Sequence, residues 1–227
     1  MTFTGFPKQT IAFLSGLGKN NRKDWFEQRR QDYERFYVAP ALAFVEAIGP
    51  KLRRVSKSVR FEPRINGSLF RIHRDTRFSK DKTPYKAHVD LWFWEGEDKS
   101  WSTPGFFFRL LPKTLILGAG MHQLDKPALD AFRKAVVDPK KGPRLEKLLA
   151  SVSAAGPYAI GGASRKTVPR GFDKDHPRAS LLLHEGLFAA LDQHHPKELS
   201  SAAFVDWCAG HFAKVAPVSE WLRKNLS

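Results

Sequence analysis

Cysteine is nearly missing from this sequence. Cys208 is the single one in 227 residues, which excludes an internal disulfide and any metal site built on several thiolates. Long apolar runs are missing too: nothing approaches the roughly 18 consecutive apolar residues of a membrane helix. The opening stretch, Met1 to Lys8, lacks the charged-then-apolar layout of a signal peptide. These absences lead us to expect a cytoplasmic protein with no membrane partner. Acidic residues are in short supply, 23 against 38 Lys and Arg, for a formal net charge of +15 and a pI near 10.1. The excess is concentrated: residues 51–86 hold 12 basic side chains against Glu62, Asp75 and Asp81. Such a field attracts polyanions and phosphorylated ligands, with a plain solubility surface as the competing reading.

Several catalytic signatures are absent as well. There is no Walker A string, and Gly118-Ala119-Gly120 is not a dinucleotide fingerprint because position 123 is Gln. That glycine pair reads as a tight turn after Thr114 to Leu117. No G-x-S-x-G elbow occurs. No zinc finger, helix-turn-helix spacing or RNP-like string appears.

The 42% hydrophobic and 27% charged content is that of a folded chain, and the length suits one domain over 1–227. Residues 1–57 read as helical. Ile11 to Leu17 stops at Gly18, Asn20-Asn21 offers a capping turn, and Trp25, Phe26, Tyr33, Phe36 and Tyr37 share a stripe. Pro40 precedes a second helix in which Gly49-Pro50 predicts a kink or break. Residues 58–120 read mostly as strands, with alternation over Ser68 to Arg74 and again over Tyr85 to Trp94, then Pro104 to Leu111 and Thr114 to Leu117. The cluster Trp92, Trp94, Trp101 and Phe106 to Phe108 reads as core or edge packing. Residues 121–227 read mostly as helices. Asp125 with Pro127 starts one, and Leu145, Leu148, Leu149 and Val152 mark the next. Residues 154–178 read as a surface connection and Leu181 to Leu191 as helical. The last helix carries Phe204, Trp207, Cys208, His211, Phe212 and Val215 on one stripe, so Cys208 and His211 are expected in the core. The fold class is therefore α+β: an antiparallel sheet from the middle third, packed by N-terminal and C-terminal helices.

Arg71 to Lys86 reads R-I-H-R-D-T-R-F-S-K-D-K-T-P-Y-K and joins two predicted strands. Loops held by rigid strands often carry sites. Arg71, Arg74, Arg77, Lys80, Lys82 and Lys86 are the candidate ligand-binding residues, suited to phosphate by fork geometry or point charge. Crowding them is unfavourable unless carboxylates or an anion compensate. The competing reading is an internal ion-pair network around Asp75, with Asp81 to Pro84 as a solvated turn.

This string, together with Asn20-Asn21, Trp25-Phe26, the stretch P-R-G-F-D-K-D-H-P from Pro169 to Pro177, and Pro217 with Trp221-Leu222, resembles the uncharacterised bacterial family called domain of unknown function 2461. The resemblance spans essentially the whole chain. It implies one domain with these basic and aspartate positions as its signature, and it transfers no catalytic residue.

Paired as a hairpin, the two strands would put Arg71, His73, Lys86, His88 and Asp90 on one face. His73 with Asp75 and His88 with Asp90 are then candidate metal ligands, although the surrounding cations disfavour a second positive ion. His73 and Asp75 are also the candidate catalytic pair of a phosphoesterase or phosphoryl-transfer enzyme. A nucleic-acid module would instead use the cations with Phe61, Phe70, Phe78 and Tyr85. The leading expectation is a binder of a phosphate-bearing or polyanionic ligand, with Asp75 orienting the arginines. Whether a cofactor is used is unknown from the sequence.

Overall fold

The computed structural model describes residues 2–97, 99 and 103–226; Trp101 lies outside them. The chain opens with α1 (Lys8–Lys19), α2 (Lys23–Glu27) and α3 (Arg30–Tyr33), and a π-helical turn over Glu34–Val38 leads into α4 (Ala39–Val55). Helix α1 buries Thr10, Phe13, Leu14 and Leu17, the spacing of one helical face. Pro40 has no N–H to offer the carbonyl of Phe36. The hydroxyl of Thr10 donates to that carbonyl at 2.5 Å. The helix does not break at Gly49-Pro50: α4 runs through Pro50 to Val55. Gly49 is needed for another reason, since a Cβ there would come within 2.5 Å of the Phe61 ring.

Among the described residues six antiparallel strands form one sheet in the order β1-β2-β3-β4-β6-β5. They are β1 (Val59–Arg60), β2 (Val89–Glu95), β3 (Gly105–Leu110), β4 (Thr114–Met121), β5 (Tyr158–Ala163) and β6 (His184–His194). Helices α5 (Lys126–Val137) and α6 (Lys141–Ala154) separate β4 from β5. Helix α5 begins as its Asp125-x-Pro127 start implies, with the Asp125 carboxylate accepting from the Ala128 N–H at 3.0 Å. The final helix, α7 (Phe204–Leu226), lies across β3, β4 and β6, and α4, α5 and α6 pack around it. Its Phe204, Cys208, Phe212 and Val215 are buried as their spacing predicts.

The α+β class holds, but the sheet draws on more of the chain than the middle third. Leu181 to Leu191, expected as a helix, is a short 3-10 turn (Ala179–Leu183) followed by β6. Leu and Ala favour helices intrinsically, yet β6 is an inner strand between β4 and β5, where pairing on both sides overrides propensity. The expected surface connection over 154–178 contains edge strand β5, whose bulge at Gly162 (φ +110°) bends it. Gly118-Ala119-Gly120 is no turn: it lies inside β4, paired on both sides.

The helices gather on one face of the sheet. Val89, Leu91 and Phe93 of β2, Phe106, Phe108 and Leu110 of β3, and Leu115, Leu117 and Ala119 of β4 join the core there. The alternate residues face the other way. Paired across the strands they form rows: Asp90 with Arg109 and Ile116, and Trp92 with Phe107 and Gly118. This helix-free face carries the candidate site.

Candidate functional site

The string Arg71 to Lys86 is a hairpin-like excursion from the outer edge of β2. Ser68 to Arg74 does not form the regular strand its alternation predicts. It pairs with residues 84–92 through isolated bridges, Leu69 with Leu91 and His73 with Tyr85. Trp92 N–H donates to Ser68 C=O at 2.9 Å, and Phe70 N–H to Asp90 C=O at 3.1 Å. The next bonds run from Lys86 N–H to Ile72 C=O at 2.8 Å and from Arg74 N–H to Pro84 C=O at 2.9 Å. The register therefore slips by two residues between Phe70 and Ile72. Leu69 and Ile72, on opposite sides of a regular alternation, are both buried, so this arm does not keep one face to the core.

The N-terminal helices grip the returning arm. Asn21 is not a helix cap: its amide donates to Tyr85 C=O at 2.8 Å and its carbonyl accepts from Tyr85 N–H at 3.0 Å. The Tyr85 ring stacks on Phe26 with centroids 4.3 Å apart. Buried Tyr37 donates its hydroxyl to His88 C=O at 3.0 Å. Asn21, Phe26 and the cationic string are thus parts of one unit, remote in sequence and joined in space.

Beside this unit, on the helix-free face, is a trough of about 1080 Å³. Arg71, His73, Lys86, His88 and Asp90 all line it, together with Arg74 and Asp75. Arg77, Lys80 and Lys82 do not line it, so the six candidate cations divide into two groups of three. Much of the loop is neutralised internally. Arg77 holds Asp75 with two nitrogens, Nη2 at 2.7 Å and Nε at 3.0 Å. Arg74 bonds Asp81 and the Thr83 hydroxyl. Lys82 donates to Thr76 C=O at 2.9 Å. Hydrogen bonds from Arg77 hold Asp75 down to about pKa 2, and those from Arg74 and Thr83 do the same for Asp81. Asp75 therefore orients Arg77, and Arg74 is oriented by Asp81. Arg71 forms no hydrogen bond or ion pair among the described residues.

Asp90 is the centre of the inner network. Its carboxylate, 13% exposed, accepts from Arg109 Nε at 2.6 Å and Nη2 at 3.1 Å. His88 Nε2 lies 3.1 Å away, and Lys86 Nζ 3.7 Å. Burial alone would raise its pKa, but the His88 and Arg109 contacts outweigh burial and hold it at about 2. Burial lowers the Lys86 pKa; Asp90 pulls against this, while Arg109 and Arg71 add to it. The Lys86 ammonium sits 5.0 Å from the centroid of the Phe70 ring.

Past Arg109 the trough turns apolar. Phe107 lies over Gly118, where a Cβ would meet its Cζ at 2.4 Å. His122 packs against Phe107 and Phe188 with centroids at 4.7 and 4.5 Å, and burial lowers its pKa. Trp92, Met121, Gln123, Leu124 and the acidic Asp125 also line the trough. Arg109, Phe107 and His122 were not among the site candidates from sequence, where Phe107 was read as core or edge packing. The signal for the first two was present: with Phe106, Phe108 and Leu110 in the core, alternation places them on the opposite face.

The metal candidates separate. His88 meets Asp90, whereas Asp75 is occupied by Arg77 and the His73 ring lies 5.1 Å from that of Tyr85. Among the described residues no three His, Cys, Asp or Glu side chains gather in a metal-binding arrangement. The four aromatics of the nucleic-acid reading also scatter. Tyr85 is buried, Phe70 is half-buried beneath Lys86, and Phe61 lies under Arg53, leaving only Phe78 fully presented at 95% exposure. No residue of 154–178 lines the trough, and no helix of the structure is long and apolar enough to cross a membrane. His211 is half-buried, its Nδ1 2.7 Å from the Tyr158 hydroxyl, and Cys208 is fully buried.

Compared with known proteins, residues 9–221 match the model of a family described as "Conserved hypothetical protein (DUF2461)". No curated protein matches the chain.

Proposed function

The chain belongs to the DUF2461 family of conserved hypothetical proteins, a description that carries no chemistry, and we propose from the trough that it binds a phosphate-bearing anion. One observation carries this reading: Arg71 and Lys86 face the same trough, Arg71 with no ion pair among the described residues and Lys86 sharing its one carboxylate with Arg109 and His88. Lys86 stands 3.7 Å from that carboxylate, an Asp90 already held by Arg109. Desolvation makes the Lys86 charge costly, and an anion placed beside it offsets that cost. Arg109 and Arg74, already pinned by Asp90 and Asp81, supply preorganised donors at the margins. With Arg77, Lys80 and Lys82 outside the trough, a compact anion suits the site better than an extended polyanion. Calorimetric titration with ribose 5-phosphate should show binding that weakens at least about tenfold in Arg71→Ala. Lys80→Ala should leave it unchanged. Equal loss in both variants would indicate a diffuse field instead of a site and would sink the reading.

A second reading, phosphoester hydrolysis, has one observation in its favour. Asp90 holds His88 at 3.1 Å in the trough that also holds Arg71 and Arg109, which sets an acid–base side chain among anion-holding groups. It calls for turnover of p-nitrophenyl phosphate that is lost in His88→Asn. No nitrophenol release, with or without Mg²⁺, removes it.

A further inference from the structure

The two ends of the trough differ in chemistry, and their combination narrows the ligand class. At the cationic end, Arg109 and Arg74 have their own carboxylates. Arg71 forms no hydrogen bond or ion pair among the described residues, and Lys86 is only loosely engaged. Arg71, without an ion pair, and Lys86, whose Asp90 is shared with Arg109, together match one phosphate monoester, which carries about −1.5 to −2 at neutral pH; a triphosphate would outrun them. At the other end, the Phe107 ring lies on the glycine backbone of β4, because Gly118 has no side chain to lift it. His122, tilted 47° to Phe107, forms a wall beside it. Gln123 adds an amide at the margin. Ring faces with a nearby amide suit a flat heteroaromatic group with hydrogen-bonding edges. An alkyl chain would call for an enclosed apolar channel, and this trough lies open along the sheet.

We propose that the ligand is a phosphate monoester joined to a planar aromatic ring, as in a nucleoside monophosphate. Its phosphate lies between Arg71 and Lys86 and its ring against Phe107 and His122. The assignment rests on the anion-binding reading above and adds the ring. A trough of about 1080 Å³ holds a molecule of this size with accompanying water.

The test is a calorimetric comparison of AMP, ribose 5-phosphate and octyl phosphate on the full chain at low salt. AMP should bind about tenfold or more tightly than ribose 5-phosphate, the scale of one base stacked on an aromatic side chain. Phe107→Leu should remove that advantage while leaving ribose 5-phosphate affinity unchanged. His122→Ala, at an exposed position, reads the same preference if the Phe107 variant folds poorly. Ribose 5-phosphate binding as tightly as AMP overturns the ring assignment and leaves anion binding standing. Octyl phosphate matching AMP overturns it as well, since any apolar body would then serve. Failure of all three to bind overturns both readings together.

Discussion

Replacing Asp90 by Asn should cost stability in a way that depends on pH. The carboxylate is 13% exposed and bonded to Arg109 and His88, and its pKa is lowered from 3.8 to about 2. At about 1.36 kcal/mol per unit, that shift is worth on the order of 2 kcal/mol to the folded state. Because the folded pKa lies below the unfolded one, the contribution is complete above the unfolded value of 3.8 and is lost as pH falls through about 2. Asp90→Asn, nearly isosteric, removes the charge and leaves Arg109 and Lys86 facing each other. Urea unfolding followed by tryptophan fluorescence should therefore show a gap of at least about 2 kcal/mol at neutral pH. In a chain of this length such a gap lowers the melting temperature by roughly 4–8 °C. The gap should narrow steadily from about pH 5 toward pH 2 as wild-type Asp90 takes up its proton. Asp75 and Asp81 titrate over the same range but are common to both proteins and cancel in the difference. A gap that stays constant from neutral pH to about pH 2.5 would refute the reasoning: the cost of Asp90→Asn would then lie in packing and not in charge.

Two further outcomes follow from the sheet and the core. Gly118→Ala should destabilise the protein by roughly 1–3 kcal/mol in thermal unfolding, because a Cβ there meets both the Ala189 carbonyl and the Phe107 ring at 2.4 Å; an unchanged melting temperature would show that the ring moves freely. Cys208 is fully buried, with its thiol pKa raised well above the ordinary value by burial, so a thiol reagent should label it only in denaturant, and rapid labelling of the native protein would contradict its place in the core.

The partition of the cationic string shows where sequence reasoning reached and where it stopped. Period-two alternation grouped Arg71, His73, Lys86, His88 and Asp90, and all five line the trough, although His73 bridges Tyr85 and not Lys86. The hairpin pairing was legible as well, though not the two-residue slip in its register or the joint burial of Leu69 and Ile72. Asp75 and Asp81 were visible as counter-charges, but not their partners: Arg77 and Arg74 respectively, fixed by the path of the loop. Asn21 read as a helix cap because Asn caps helices in general. Its bonds to Tyr85, 64 residues away, have no local signature.

What the sequence determined by itself was what depends on near neighbours: the stripe of α7, the Asp125 cap of α5, the strand periodicity around Phe106 to Leu110, and the excess of positive charge between residues 51 and 86. Helical and strand periods are set over a few residues, so they survive in the one-dimensional record. Tertiary structure alone decided that β6 is an inner strand, that all the main helices share one face of the sheet, and that Arg109 answers Asp90 across β2 and β3. It also decided which cations remain unspent. A charge is neutralised by whatever lies within a few ångströms, and that distance is set by register and by contacts between segments far apart in the chain.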